Sequence, residues 1–134
     1  MRIMLDTNVL ISASLFSGKV ADIVDRISDD YQIVISRIIK EEYMNTVIKK
    51  FPKKINIAED FLREFTYTFA DTPKTIKEGA FPSIRDPKDY PILASAIIAD
   101  VDILITGDKD FSEVQIKSPK IMTLTEFSEK YILC

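Results

Sequence analysis

Apolar runs that stop abruptly on polar residues set the rhythm of this chain. Ile3-Met4-Leu5 ends on Asp6-Thr7-Asn8, a buried strand with a carboxylate, an hydroxyl and an amide at its tip. Leu10 to Phe16 then reads as a short helix, which Ser17-Gly18 breaks. Val20, Ile23, Val24 and Ile27 recur at i, i+3, i+4 and i+7, predicting a helix from about Lys19 to Asp29. The β-branched run Tyr31 to Ile35 predicts a second strand, and Ser36 is placed to end it and cap the next helix, about Arg37 to Phe51. Pro52 stops that helix; a further one is expected from about Asn56 to Ala70, with Ile57, Phe61, Leu62, Phe65 and Phe69 as its core-facing stripe.

The second half is read the same way. Asp71 to Ser83 is punctuated by Pro and Gly, with a short edge strand expected near Thr75 to Lys77. Pro91 is tolerated only in a first helical turn, so Asp89 falls at or next to the N-cap of an apolar helix running through Ile92 to Ala99. Val101 to Thr106 is another buried strand, followed by the turn Gly107-Asp108-Lys109-Asp110. A last strand, about Lys120 to Met122, leads into Thr123-Leu124-Thr125-Glu126, the spacing of a capping box that opens a final helix to about Leu133. Strands alternating with helices predict a parallel sheet covered on both faces.

Several carboxylates stand where this pattern does not want a charge. Ligands of open α/β sheets bind beyond the carboxyl ends of strands, which makes Asp6 a site candidate; capping the following helix is its structural alternative. On the helix after the second strand, Ile38, Ile39, Tyr43 and Val47 share one side, and Glu42 falls among them while Glu41 points away. A carboxylate there is costly unless paired, metal-bound or able to snorkel to water. Asp89 and Asp108 each have a capping alternative, yet on a parallel sheet Asp6, Asp89 and Asp108 converge on one rim, with Glu42 reaching in from the side.

Composition narrows the chemistry. The chain has 134 residues, enough for one domain spanning 1–134, and no histidine, so imidazole is excluded as base or metal ligand. Its single Cys134 excludes an intramolecular disulfide and a cysteine zinc site, which suits a reducing, cytoplasmic setting. No apolar stretch approaches membrane-spanning length, and Asp6 interrupts the N-terminal apolar run before the roughly 7–15 residues of a signal-peptide core. Oxygen ligands alone suit Mg²⁺ or Mn²⁺. Four converging carboxylates repel one another unless such cations occupy the site, and one or two divalent ions so held would support phosphodiester hydrolysis.

The net charge of −3 argues weakly against a nucleic-acid partner, but its distribution is uneven. Between Arg37 and Lys54, six basic residues (Arg37, Lys40, Lys49, Lys50, Lys53 and Lys54) face only Glu41 and Glu42, a local +4. Lys49, Lys50, Lys53 and Lys54 are candidate RNA-binding residues, with favourable placement at a helix C-terminus as the structural alternative.

Leu5-Asp6-Thr7-Asn8-Val9-Leu10, Ser36 with Glu42 six residues on, Arg85-Asp86-Pro87-Lys88-Asp89 and Thr106-Gly107-Asp108-Lys109-Asp110-Phe111 are each short, but in this order they are specific. They resemble the PIN domain family over essentially the whole chain, in particular its VapC-like toxins of type II toxin–antitoxin systems. The resemblance implies a three-layer α/β/α sandwich with a mostly parallel sheet of four to five strands. It implies Asp6, Glu42, Asp89 and Asp108 as catalytic, metal-binding acids, with Thr7, Asn8 and Thr106 orienting them or a bound water and Asp110 in support. A Mg²⁺- or Mn²⁺-dependent endoribonuclease follows, often a homodimer, restrained by a cognate antitoxin whose tail occupies the site. Against it stands a catalytically silent PIN-like module that binds RNA or protein. A haloacid-dehalogenase-type phosphatase fits poorly, because its chemistry needs a second Asp where this chain has Asn8.

Overall fold

The computed structural model describes residues 1–72, 90–107, 111 and 118–132. Among the described residues five strands, β1 (Arg2–Leu5), β2 (Gln32–Ser36), β3 (Thr68–Ala70), β4 (Ile103–Ile105) and β5 (Lys120–Met122), form one sheet in the order β3-β2-β1-β4-β5. All of its pairings are parallel. The expected α/β sandwich is therefore present, at the upper end of the expected strand number.

From β1 the chain steps outward to β2 and β3, then returns to the other side of β1 for β4 and β5. Right-handed crossovers taken in opposite directions along a sheet put their helices on opposite faces, which yields three layers. The direction reverses between β1 and β4. Their register pairs Leu5 with Ile105, so Asp6 and Thr106, one residue beyond, emerge side by side at this switch point.

The helices follow the apolar periodicity closely: α1 (Thr7–Leu15), α2 (Lys19–Asp30), α3 (Arg37–Lys50), α4 (Ile55–Glu64), α5 (Tyr90–Ile98) and α6 (Leu124–Phe127), which continues as a π-helix over Ser128–Ile132. α1 starts three residues before the expected Leu10, because Asp6 caps it. Ser36 caps α3 by accepting from the Ile39 amide at 3.4 Å. The Thr123–Glu126 capping box is made in both directions, so Glu126 is structural. Gly18, at the start of α2, has φ +138°, a backbone state that side-chain-bearing residues rarely adopt.

One expected element is corrected. The helix predicted to reach Ala70 ends at Glu64, and Thr68–Ala70 is the edge strand β3. Phe65-Thr66-Tyr67-Thr68-Phe69 alternates with period two, and a spacing of four fits both this alternation and a helical turn, so Phe69 only mimics a continuing stripe. The face of α4 that packs inward centres on fully buried Ala58 with Phe61, Leu62 and Phe65, whereas Ile57 is half exposed. The edge strand expected near Thr75 to Lys77 lies outside the described residues.

The core is built from β1, β2 and β4 with Leu10, Ile27, Ile39, Tyr43, Val47, Leu93 and Phe127, all fully buried. Tyr43, though buried, satisfies its hydroxyl with Ser14 at 2.6 Å and so ties α3 to α1. α5 is buried from Ile92 to Ala96, as its apolar circumference requires. No helix among the described residues is long and apolar enough to cross a membrane.

Candidate active site

Asp6 occupies the site and the cap position at once. Its Oδ1 accepts from the Asn8 amide at 3.2 Å, and its backbone amide continues the sheet by donating to Ile105 O at 3.0 Å. The other carboxylate oxygen, Oδ2, accepts from the Thr106 hydroxyl. The side chain is thus held from two elements and is only 6% exposed.

Glu42 comes from α3, which enters the same region because β2 neighbours β1. The Thr7 hydroxyl donates to Glu42 Oε2 at 2.9 Å, linking the residue after Asp6 to the second carboxylate. Burial pushes the Glu42 carboxyl above the ordinary carboxylate range; the Thr7 hydrogen bond opposes this, and the charge of Asp6 adds to it. A repulsive contribution from Asp6 means that the two carboxylates share one electrostatic environment.

Together they line an open cleft of about 260 Å³ with Thr7, Asn8, Asn45, Thr46 and Ile92. Asn45 and Thr46 did not emerge from the sequence. They lie at i+3 and i+4 from Glu42 on α3, so helical spacing alone could have found them once Glu42 was known to face the cleft. Ile92 brings the first turn of α5 to the cleft wall.

Asp89, Asp108 and Asp110 lie outside the described residues. Among the described residues no group of three acidic, histidine or cysteine side chains is assembled that could hold a metal ion. The donor chemistry nonetheless fits a hard divalent cation: two neighbouring carboxylates, hydroxyls and amides supply oxygen donors, and the described lining of the cleft contains no lysine or arginine.

The lysine cluster divides. Lys49 is seven residues beyond Glu42 on α3, on nearly the same face and about 10 Å further along the helix axis. Lys49, Lys50 and Lys53 are exposed. Lys54 instead turns back to α1, donating to Leu15 O at 3.0 Å with its ammonium 4.1 Å from the centre of the Phe16 ring.

A model of the PIN domain matches residues 2–110 of this chain. The chain belongs to the PIN domain family. As a PIN domain it shares its fold with a chain in the crystal structure of VapBC2 from Rickettsia felis bound to a DNA fragment from their promoter. The two superpose with a TM-score of 0.64 at 17% sequence identity, covering 91% of this chain and 97% of that one. No curated protein matches the sequence significantly.

Proposed function

We propose that this PIN domain, one unit over 1–134, is a Mg²⁺- or Mn²⁺-dependent endoribonuclease and the toxin of a toxin–antitoxin pair. One observation carries the reading: in a PIN-family chain, carboxylates from two different elements, Asp6 and Glu42, meet in an oxygen-lined cleft where strand order reverses, each held by a threonine hydroxyl. Asp89 and Asp108 are proposed to complete the acidic set, with Asp110 in support. Chain connectivity favours this, because Asp89 directly precedes α5, whose first turn reaches the cleft through Ile92, and Asp108 follows Thr106 by two residues.

Asp6, Glu42, Asp89 and Asp108 would hold the cation, which supplies an activated water and neutralises charge on the phosphodiester. The roles of the chain's own residues follow from their contacts. Thr106 and the Asn8 amide fix the two oxygens of Asp6, and Thr7 fixes Glu42, so the carboxylates are oriented before substrate arrives. Asn8, Asn45 and Thr46 offer neutral hydrogen-bond donors to the sugar-phosphate chain. Lys49 continues the Glu42 face of α3 and, with Lys50 at the end of that helix and Lys53 in the turn that follows, would meet the RNA backbone beyond the cut. Lys54 serves this patch indirectly, by clasping the end of α1.

An antitoxin partner is proposed by likeness to the solved relative, which is named VapBC2 and is bound to DNA from their promoter. A homodimer and a cytoplasmic location belong to the same proposal.

The test is cleavage of end-labelled structured RNA by the purified chain with Mg²⁺ or Mn²⁺, compared with EDTA and with the variants Asp6→Asn and Asp89→Asn. Cuts that need metal and vanish in both variants are expected. Equal background cutting by wild type and variants would reduce the chain to a binding module of PIN fold.

A further inference from the structure

The two elements that carry the carboxylates are joined a second time, away from the cleft. Asp6 caps α1 and Glu42 rides on α3, and the Thr7–Glu42 hydrogen bond ties these helices at the cleft itself. Further along α1, Ser14 Oγ lies 2.6 Å from the hydroxyl of Tyr43, the residue that follows Glu42. Seven positions of a helix come within roughly 20° of two full turns, so Thr7 and Ser14 share one face of α1, about 10 Å apart along its axis. That face is pinned to α3 at two points, through adjacent residues of α3.

Packing alone does not call for the second pin. Tyr43 is fully buried, and its ring already packs against Phe61 of α4, with ring centres 6.4 Å apart. A phenylalanine would fill the same space with no hydroxyl to desolvate, and replacing a buried hydrogen-bonded pair by apolar groups of like shape is nearly neutral for stability. Apolar burial is non-directional, however, and does not by itself fix the rotation of one helix against another. A satisfied polar contact inside the interface does. Ile11 O, 3.5 Å from Ser14 Oγ, accepts from the serine hydroxyl, which leaves the Tyr43 hydroxyl to donate to Ser14. Just beyond Ser14, Lys54 donates to Leu15 O at 3.0 Å, and Phe16 packs edge-on against Phe51. The far end of α1 is therefore anchored to the α3–α4 side of the molecule, while its near end presents Asp6 beside Glu42.

We propose that Ser14 and Tyr43 are positioning residues of the acidic site: their hydrogen bond fixes the spacing of the Asp6 and Glu42 carboxylates, and with it the affinity for the divalent cation. Neither residue lines the cleft, so both act through the helices that carry the carboxylates. On the metal-binding reading of the cleft, on which the effect on affinity rests, a small rotation of α1 is enough, because ligand distances at a metal must hold within about 0.2 Å. The spacing itself is set without metal.

The experiment measures Mn²⁺ affinity of the full chain by calorimetry, and the amide NMR signals of Asp6, Thr7 and Asn8 in EDTA. Tyr43→Phe and Ser14→Ala are each expected to weaken Mn²⁺ binding about tenfold, and Ser14→Thr, which keeps the hydroxyl, to retain it. The double variant should lose no more than either single one, since both remove the same contact. Ile27→Val, a fully buried position on α2 chosen to lower Tm comparably, should bind Mn²⁺ as the wild type does. Without metal, Ser14→Ala should displace the Asp6, Thr7 and Asn8 signals from two turns away, and Ser14→Thr should return them. Unchanged Mn²⁺ affinity in both single variants, losses that add in the double variant, an equal loss in Ile27→Val, or amide signals that stay in place would each overturn the positioning role. A wild type that bound no Mn²⁺ while Ser14→Ala moved the signals would defeat the metal reading and support the role in spacing the carboxylates.

Discussion

The Thr106 hydroxyl donates to Asp6 Oδ2, joining two residues one hundred positions apart at the tips of adjacent strands. Parallel register between β1 and β4 makes the contact, since each residue follows one member of the Leu5–Ile105 pair. Thr106→Val keeps the shape of the side chain and removes this donor from a buried carboxylate. We expect a loss of about 1–3 kcal/mol in urea unfolding. Affinity for Mn²⁺, measured by calorimetry, should fall roughly 10–100-fold, as it does when an orienting partner of a ligand is removed. Unchanged metal affinity would show that Thr106 serves the fold alone.

Metal binding should register in stability. A cation that binds only the folded chain stabilises it by about 2.7 kcal/mol at a hundredfold excess over Kd, so Mg²⁺ or Mn²⁺ should raise Tm by several degrees, reversibly with EDTA. Asp6→Asn should abolish the response. A rise of equal size in that variant would place the metal elsewhere.

Glu42 provides a pH-dependent check. Its folded carboxyl titrates above the ordinary 4.5, chiefly because it is buried. The favourable contribution of the protonated form is fully present below the unfolded value and is lost as pH rises through the raised folded one. In EDTA, Glu42→Gln should therefore melt above wild type at pH 8 and show little advantage at pH 4. With Mn²⁺ the order should reverse, because the wild type regains stability by binding metal. Differential scanning fluorimetry across pH, with and without metal, reads both signs.

Thr72 is buried at the start of α3, where its Oγ1 accepts from the Ile38 amide at 3.0 Å and lies 2.8 Å from Ser95 Oγ on α5. It thereby joins the helix carrying Glu42 to the helix whose first turn lines the cleft. Thr72→Val should cost about 1–2 kcal/mol in denaturant unfolding, because the Ile38 amide loses its acceptor. A cost below about 0.3 kcal/mol would mean that water or the backbone replaces the hydroxyl.

Much of the candidate site was legible because it is local. Asp6 terminates an apolar run and Glu42 interrupts an apolar helical face, and both irregularities are visible within a few residues. The sequence left Asp6 open between cap and site; the structure gives it the cap contact through one oxygen and the Thr106 hydroxyl of the neighbouring strand tip through the other, while the side chain lines the cleft. Asn45 and Thr46 carry no such irregularity, since polar residues on a helix flank are unremarkable until the neighbouring cleft is known. Phe69 was misread for a related reason, as its spacing from Phe65 satisfies helix and strand alike and only pairing with β2 decides between them.

By itself the sequence determined the succession of elements, the parallel α/β class, the oxygen-only chemistry that follows from the absence of histidine, and the family signature around Asp6 and Glu42. These depend on periodicity and composition, which are properties of contiguous residues. Tertiary structure decided that β1 lies between β2 and β4, that Thr106 and Thr7 are the residues holding Asp6 and Glu42, and that Asn45, Thr46 and Ile92 join them around one cleft. Strand order and register arise from contacts between distant segments, whose free energy is shared over the whole core, and no local pattern encodes them.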